Sequence, residues 1–371
     1  MKPIRVAVVG AGRLGSFHAE KLTRRRDQVQ LAAVVDPLEP RRRRLADRCG
    51  TQAVADHCAL VGQIDAAVIA APTRLHHPLG LDLLRHGIHL LVEKPLATSA
   101  AEADELVAAA QRHGAVLQVG HVERFNPAFQ EAAGHVRRPK FIEAVRTSPY
   151  TFRSTDIGVV LDLMIHDLDL VLQLVEGRVA SIDALGVSVL GGHEDVANAR
   201  IHFTCGAVAS LSAARVSPWS ARRMSLWSQE GFAAIDFASR STTLIRPSQA
   251  VRERRVRLDQ VAGNPFQPPD PRLLDGHLRR AEYQLDAVDA LELELDDFVD
   301  SIRAGRQPRV TGQQAREAVA LAERVLGALE SHAWEGDPNG PVGPLAVPPP
   351  EVIPTPAWHP AARRRSIPPA A

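Results

Sequence analysis

Ile4-Arg-Val-Ala-Val-Val-Gly10-Ala-Gly12-Arg-Leu-Gly15 decides the fold. A short apolar run reads as a buried strand, and three glycines follow at G-x-G-x-x-G spacing. Each glycine has its own task. Gly10 permits the tight turn, Gly12 lets the backbone approach a pyrophosphate, and Gly15 lets the following helix pack on the strand. That helix, running to about Leu22, begins with Arg13 and Leu14, and its free N–H groups and positive dipole end suit a phosphate. A second strand, Leu31-Ala-Ala-Val-Val, ends at Asp36, about 20 residues past the last glycine, where a ribose-binding carboxylate belongs. The stretch therefore predicts a dinucleotide site. Asp36 favours NAD, because a carboxylate repels the 2′-phosphate of NADP, and the Arg41–Arg44 run keeps NADP open as the alternative.

Strands at Ile4–Val9, Gln30–Val35, Ala66–Ala70, His89–Val92 and Val116–Val119 alternate with helices at Arg13–Arg24, Pro40–Cys49, His77–His86 and Ala100–Gln111. This rhythm predicts an α/β fold whose N-terminal domain, residues 1–121, holds a Rossmann parallel sheet with ligands at the carboxyl ends of its strands. After Gly120 the pattern changes. A helix at Pro127–Val136, a strand at Phe141–Thr147 and an apolar helix at Val159–Val175 lead into long strand-like runs up to Phe237. An antiparallel or mixed sheet with one open face is expected there. Helices at Leu291–Ile302 and Gly312–Ser331 close a second domain, 122–335, for substrate binding and oligomerisation. Residues 336–371, with Pro348-Pro-Pro350 and Arg363–Arg365, read as a proline-rich disordered tail.

The chain has 371 residues, enough for two cores, with 45% hydrophobic and 23% charged residues and a formal net charge of +1. That balance gives no reason to expect nucleic acid or a membrane as partner. Three scattered cysteines fit a reducing cytoplasm, and no apolar run is long enough to span a bilayer.

Two constellations carry chemistry. Glu93-Lys94-Pro95 stands at the carboxyl end of a buried strand, where a lysine can hold an alcohol oxygen as it becomes a carbonyl. A solvent-exposed lysine at an ordinary turn is the plain alternative, and Pro95 is a candidate for a cis bond. In Asp162-Leu-Met-Ile-His166-Asp167-Leu-Asp169, positions 162, 166 and 169 fall on one helical face. Buried polar groups need partners or a wet pocket, and an imidazole near a carboxylate suits a general base. A metal site and a structural His–Asp pair are its rivals; no metal is expected, since a third ligand is missing. Ala71-Pro72-Thr73-Arg74-Leu75-His76 faces the cofactor edge, with Thr73 either capping a helix or touching the cofactor. Gly120-His121-Val-Glu-Arg124-Phe-Asn126-Pro127 lies at the hinge, where polar side chains either reach substrate or close the domains.

Taken together and in order, G-A-G-R-L-G (10–15), A-P-T-R-L-H (71–76), E-K-P (93–95), R-F-N-P (124–127) and D-L-M-I-H-D-L-D (162–169) make the chain resemble the Gfo/Idh/MocA oxidoreductases. The resemblance runs from about residue 3 to 330. It implies a Rossmann domain followed by an α/β domain with a large, mostly antiparallel open-faced sheet that builds homodimers or homotetramers. It further implies a catalytic Lys94 and His166 with Asp162 as their polar partner, and cofactor contacts from Gly10, Gly12, Arg13, Leu14, Gly15, Asp36, Ala71, Pro72, Thr73, His76, Glu93 and Lys94. Lys94, His121, Arg124, Asn126, Arg153, Asp162 and His166 form the implied substrate set. One departure stands out: where many members carry glycines around the equivalent of Asp162, this chain has Ile157–Val160, with the single Gly158, and Met164. The wording instead looks closer to a sugar-nucleotide branch acting on C3 of UDP-N-acetylglucosamine, a step toward 3-amino sugars of the lipid A type. Arg200, Arg215, Arg222 and Arg223 add to that impression, since guanidinium forks match diphosphate oxygens. Another sugar, a sugar acid or a polyol is the nearest alternative. A non-enzymatic NAD-binding sensor is the alternative from another class, although a sensor has no need of an acid–base pair.

Overall fold

The computed structural model describes residues 2–152, 156–190, 192–256, 276–334 and 340–344. Six strands, β1 (Ile4–Val9), β2 (Val29–Val35), β3 (Gln52–Val54), β4 (Ala66–Ile69), β5 (His89–Glu93) and β6 (Leu117–Gly120), form the first sheet. Their order is β3-β2-β1-β4-β5-β6 and every neighbouring pair is parallel. Helices α1 (Arg13–Leu22), α2 (Glu39–Cys49), α3 (His76–Arg85) and α4 (Ala100–Arg112) connect them. Helices on both faces explain why Val6, Ala7, Val8 and Val9 are all buried instead of alternating. The strand order reverses between β1 and β4, which opens a crevice at their carboxyl ends.

Asn126 caps α5 (Pro127–His135), its side chain accepting from Ala128 N–H, and the chain then enters an eight-stranded second sheet. That sheet comprises β7 (Phe141–Thr147), β8 (Val179–Val187), β9 (Val196–Phe203), β10 (Val208–Ala214), β11 (Ala221–Ser228), β12 (Gly231–Asp236), β13 (Ser241–Pro247) and β14 (Leu278–Gln284). Only β7 and β10 pair parallel; all other neighbours are antiparallel. Burial alternates along β9 and β10, so Ala197, Ala199, Ile201, Ala209, Leu211 and Ala213 face inward. They pack beneath α6 (Ile165–Leu174) and the far end of the last long helix. The mostly antiparallel sheet with one open face is thus as expected.

Four readings change. The strands β3, β13 and β14 were not anticipated: β3 has three residues, β13 ends in Pro247, and β14 (LRRAEYQ) lies at the sheet edge, largely exposed and without apolar alternation. The apolar helix opens with a single π-helical turn, Val160–Met164, before α6 begins. After a one-turn α7 (Gln249–Arg252), the helices α8 (Ala290–Ala304) and α9 (Gly312–Glu330) reach the parallel half. Leu295, Phe298 and Val299 of α8 share a core with Ile4, Val6, Val8 and Leu22, while α9 spans both cores: Ala315 and Val319 pack with Leu106 and Leu117, and Ala318, Leu321, Ala322, Val325 and Leu329 pack with the second sheet. The helix α8 therefore completes the parallel half, and α9 bridges the two. Finally, part of the expected tail is folded: Ala333 pairs with Val342, and Pro344 O accepts from Ser188 N–H. Residues 335–339 and 345–371 lie outside the described residues.

No helix among the described residues is long and apolar enough to cross a membrane. Because Phe298 is fully buried against the parallel sheet, Phe298→Ala should cost about 3 kcal/mol or more of stability. Denaturant unfolding followed by circular dichroism checks this, and a cost below about 1 kcal/mol would contradict the docking of α8.

Candidate active site

The dinucleotide edge is built by strand ends. Gly10 has φ +105°, and a Cβ there would lie 2.5 Å from Ala70 O; one on Gly15 would lie 1.8 Å from Gly10 O. Both positions exclude any side chain on packing grounds. A Cβ on Gly12 would meet nothing within 4 Å, so its bare backbone faces open space, and no side chain caps the start of α1 at Arg13 and Leu14. Free N–H groups facing open space beside a glycine turn are the cradle that a pyrophosphate needs. Asp36 is buried at the end of β2, its Oδ2 accepting from Ala11 N–H at 2.9 Å and its Oδ1 from Leu38 N–H at 2.8 Å. It thus fixes the glycine loop and stands where a ribose hydroxyl would meet it. Arg42 turns to the carbonyls of Asp36 and Pro37, and Arg43 pairs with Glu39. The residues present fit an NAD molecule.

Two members of the expected cofactor set are placed differently. Thr73 does not cap α3; it sits in a short 3-10 turn, Thr73–Leu75, after Ala71 and Pro72. His76 is buried with Nδ1 2.8 Å from Pro95 O and Nε2 2.9 Å from Ala71 O. Both ring nitrogens face backbone carbonyls, which leaves none for a ligand; the residue clamps one loop to the other. Burial pushes its pKa down, so the neutral ring donates to one carbonyl at a time.

The Lys94–Pro95 bond is cis. Lys94 Nζ donates to the backbone oxygen of Asp162 at 2.6 Å and to its carboxylate at 3.1 Å. The π-helical turn matters here, because an additional residue per turn re-aims the side chains and carbonyls that follow. Gly158 leaves room for a side chain that braces the start of that turn: a Cβ there would lie 2.0 Å from the Glu194 carboxylate, which accepts from Val160 N–H. Lys94 and His166 line one cleft between the two sheets, together with Glu93, Glu123, Arg146, Leu163, Ser220, Arg222 and Leu14. His166 Nδ1 is buried without a partner. Burial first, then the nearby charges of Lys94, Arg146 and Arg222 and the His121 ring, hold its pKa well below the ordinary value. The imidazole is therefore neutral at physiological pH, the state a general base requires.

Three hinge residues were expected to touch substrate, and the structure puts two of them to other use. Arg124 grips Asp169 through two hydrogen bonds of 2.7 and 2.8 Å and gives a third to Gln173. Asn126, besides its cap, donates to Glu123 and to Phe237 O. Both are buried and close the two halves on each other. His121 is buried behind His166 with ring centroids 6.5 Å apart, edge to face; its Nδ1 stands 3.9 Å from the Asp169 carboxylate, and neither nitrogen has a hydrogen-bond partner among the described residues. Arg153 lies outside the described residues. The Asp169 carboxylate is thus taken up by Arg124 and lies behind the cleft. Among the strand arginines, Arg215 is buried against Asp195 and Ile157 O, and Arg223 pairs with Asp236. Arg222 alone of the four lines the cleft.

The sequence reading missed a second layer. Arg146 forks onto Asp167 at 2.8 and 3.0 Å and reaches Glu123 at 2.9 Å. Its register with Ile142 and Ala144 on the inward face of β7 was the available signal. His18 Nε2 meets Glu93 Oε1 at 2.6 Å, and Glu294 lies within ligand distance of both. Each sits on the apolar face of its helix, His18 with Ala19 and Leu22, Glu294 with Leu295 and Phe298. Metal-competent spacing among the described residues occurs there and at the more exposed Asp56-His57-Cys58 group.

Comparison with known proteins agrees with this geometry. Residues 4–121 match the oxidoreductase family with an NAD-binding Rossmann fold, and residues 128–234 match the Gfo/Idh/MocA C-terminal domain. A UDP-N-acetylglucosamine 3-dehydrogenase from Acidithiobacillus ferrooxidans is 34% identical over 330 residues, which is 88% of this chain and 98% of that protein. A solved structure of that enzyme superposes with a TM-score of 0.76 at 33% identity, over 88% of this chain and 98% of the other. The scyllo-inositol 2-dehydrogenase (NAD(+)) of Bacillus subtilis is 27% identical over 328 residues, 83% of this chain and 89% of that protein. The chain belongs to the Gfo/Idh/MocA family of NAD(P)-dependent oxidoreductases acting on CH–OH groups.

Proposed function

We propose that the protein oxidises the C3 hydroxyl of UDP-N-acetylglucosamine to the 3-keto sugar nucleotide, with NAD as acceptor, in the cytoplasm. The observation that carries this reading is that Lys94, held by Asp162, and His166 line one cleft at the carboxyl edge of the parallel sheet. When bound, NAD supplies the hydride acceptor at the nicotinamide. The chain's own groups handle the proton and the oxygen. Neutral His166 takes the hydroxyl proton as the carbon loses hydride, and the Lys94 ammonium stabilises the oxygen as it becomes a carbonyl. Asp162 holds Lys94 in place through its backbone oxygen and its carboxylate. The products are a ketone, NADH and a proton, so the step balances.

The sugar-nucleotide reading is supported by Arg222, a cation on the cleft wall with no acid or acceptor bonded to it among the described residues. A guanidinium there matches the anionic oxygens of a diphosphate more strongly than the neutral hydroxyls of a free polyol. The 34% identity to a UDP-N-acetylglucosamine 3-dehydrogenase supports it independently. The 3-keto product suits transamination to a 3-amino sugar of the lipid A type. The outer face of the eight-stranded sheet serves as the homo-oligomer interface in this reading.

Three outcomes are expected. Lys94→Ala and His166→Ala should each lower kcat at least about a hundredfold, followed as NADH formation with UDP-N-acetylglucosamine; near-normal turnover in folded Lys94→Ala protein would remove the mechanism. The acid limb of kcat/KM should lie below the pH at which a free histidine titrates, because the depressed His166 pKa keeps the base unprotonated until the medium is more acidic. A limb at or above the ordinary histidine value speaks against His166 as base. Arg222→Ala should raise KM for the sugar nucleotide about tenfold or more while leaving KM for unphosphorylated sugars unaltered. Equal effects on both would exclude a diphosphate contact.

A further inference from the structure

One buried cluster behind the cleft is not used by the hydride-transfer chemistry. His18 on α1, Glu93 at the end of β5 and Glu294 on α8 bring one ligand atom each within 4.8 Å of one another. Glu294 is fully buried, and neither of its carboxylate oxygens has a hydrogen-bond partner. Its backbone carbonyl accepts from Gln118 Nε2 on β6, so the helix is fixed there while the carboxyl group is left unsatisfied.

Two carboxyl groups this close in the interior cannot both ionise beside one imidazole that already serves one of them. Hydrogen bonding decides which keeps the charge. Glu93 Oε1 faces His18 Nε2 at 2.6 Å, and Lys94 and His76 stand nearby, all favouring its anion. The charged neighbours that reach Glu294 are Glu93 across the cluster and Asp297 on its own helix, both anionic. Burial and those two anions drive its pKa well up. A shared metal ion fits less well. Two ligands of one tetrahedral ion with bonds near 2.0 Å sit ~3.3 Å apart, whereas His18 and Glu93 are at hydrogen-bond distance.

We propose that Glu294 is a neutral carboxylic acid, a positioning residue that keeps Glu93 as the single anion of the cluster, and that Glu93 favours the pyridinium form of the dinucleotide over the reduced form. Glu93 lines the cleft next to Lys94 at the carboxyl end of β5, the sheet edge at which a dinucleotide binds. A fixed negative charge there interacts with the cationic ring of NAD⁺ and not with the neutral ring of NADH, a preference of about tenfold. The inference does not depend on which alcohol is oxidised.

The experiment compares wild type, Glu294→Gln and Glu93→Gln in three measurements: dissociation constants for NAD⁺ and NADH, melting temperature against pH, and metal content. A carboxyl group with a raised folded pKa contributes stability that is complete below the unfolded carboxyl value and is lost as pH rises toward the folded one. Wild type should therefore lose melting temperature over that range, and Glu294→Gln, the uncharged isostere, should lose less. Glu294→Gln should also keep the wild-type ratio of NAD⁺ to NADH affinity, while Glu93→Gln shifts it about tenfold toward NADH. The proposal fails if Glu294→Gln moves the ratio as Glu93→Gln does, or if stoichiometric metal in wild type vanishes in either variant. Should Glu294→Gln not fold, the infrared carbonyl band of a protonated carboxyl group decides in its place: its presence in wild type and in Glu93→Gln at neutral pH supports the assignment, and its absence from both overturns it.

Discussion

The contact on which the site depends joins Lys94 to Asp162, 68 positions apart, one at the end of a parallel strand and the other in a π-helical turn packed on a different sheet. Neither half of the molecule holds a working cleft without the other. The ammonium arrives on the β5 edge because Leu90, Leu91 and Val92 are buried and leave the charge no other place than the strand's end. The carbonyl of Asp162 arrives because Glu194 and Gly158 set where the π turn begins. Behind this contact, Arg124–Asp169 and Arg146–Asp167–Glu123 lock the hinge to α6 and β7. Buried ion pairs of this kind add little net stability over apolar packing, but removing one partner leaves an uncompensated charge. Their value here is geometric: they fix the angle at which His166 meets Lys94.

Much of this was legible in the chain. The glycine spacing and the strand ending at Asp36 announced the parallel sheet, since only glycine tolerates Gly10's φ of +105° and the close approach at Gly15. Lys94, Asp162 and His166 were readable because polar residues stood in strongly apolar surroundings. The helix period was right about where Asp169 lies but silent about its use: it follows His166 by three residues in α6, and the buried Arg124 takes up its carboxylate, a partner no local pattern reveals. Arg124 and Asn126 read as substrate contacts for the same reason. A polar hinge residue looks alike in sequence whether its partner is a ligand or the other half of the fold. The return of α8 to the parallel half, and the bridging of both halves by α9, were also invisible, because amphipathic periodicity tells which face is buried and never against what.

Charge arrangement in the cleft has a consequence for the base. His166 stands among Lys94, Arg146 and Arg222, and these cations, with burial, depress its proton affinity. Arg146 is compensated by Asp167 and Glu123, and Lys94 by Asp162. Arg222 lines the cleft with no such acid bonded to it among the described residues. A diphosphate neutralising Arg222 weakens the cationic field that opposes protonation of His166. Under the proposed reading, the substrate's own phosphates strengthen the base that acts on its sugar. A free polyol leaves that cation uncompensated, and with it a weaker base. Recognition of the nucleotide and activation of the hydroxyl are then coupled through a single guanidinium, which is why Arg222 discriminates between the two substrate classes by more than the affinity of a contact.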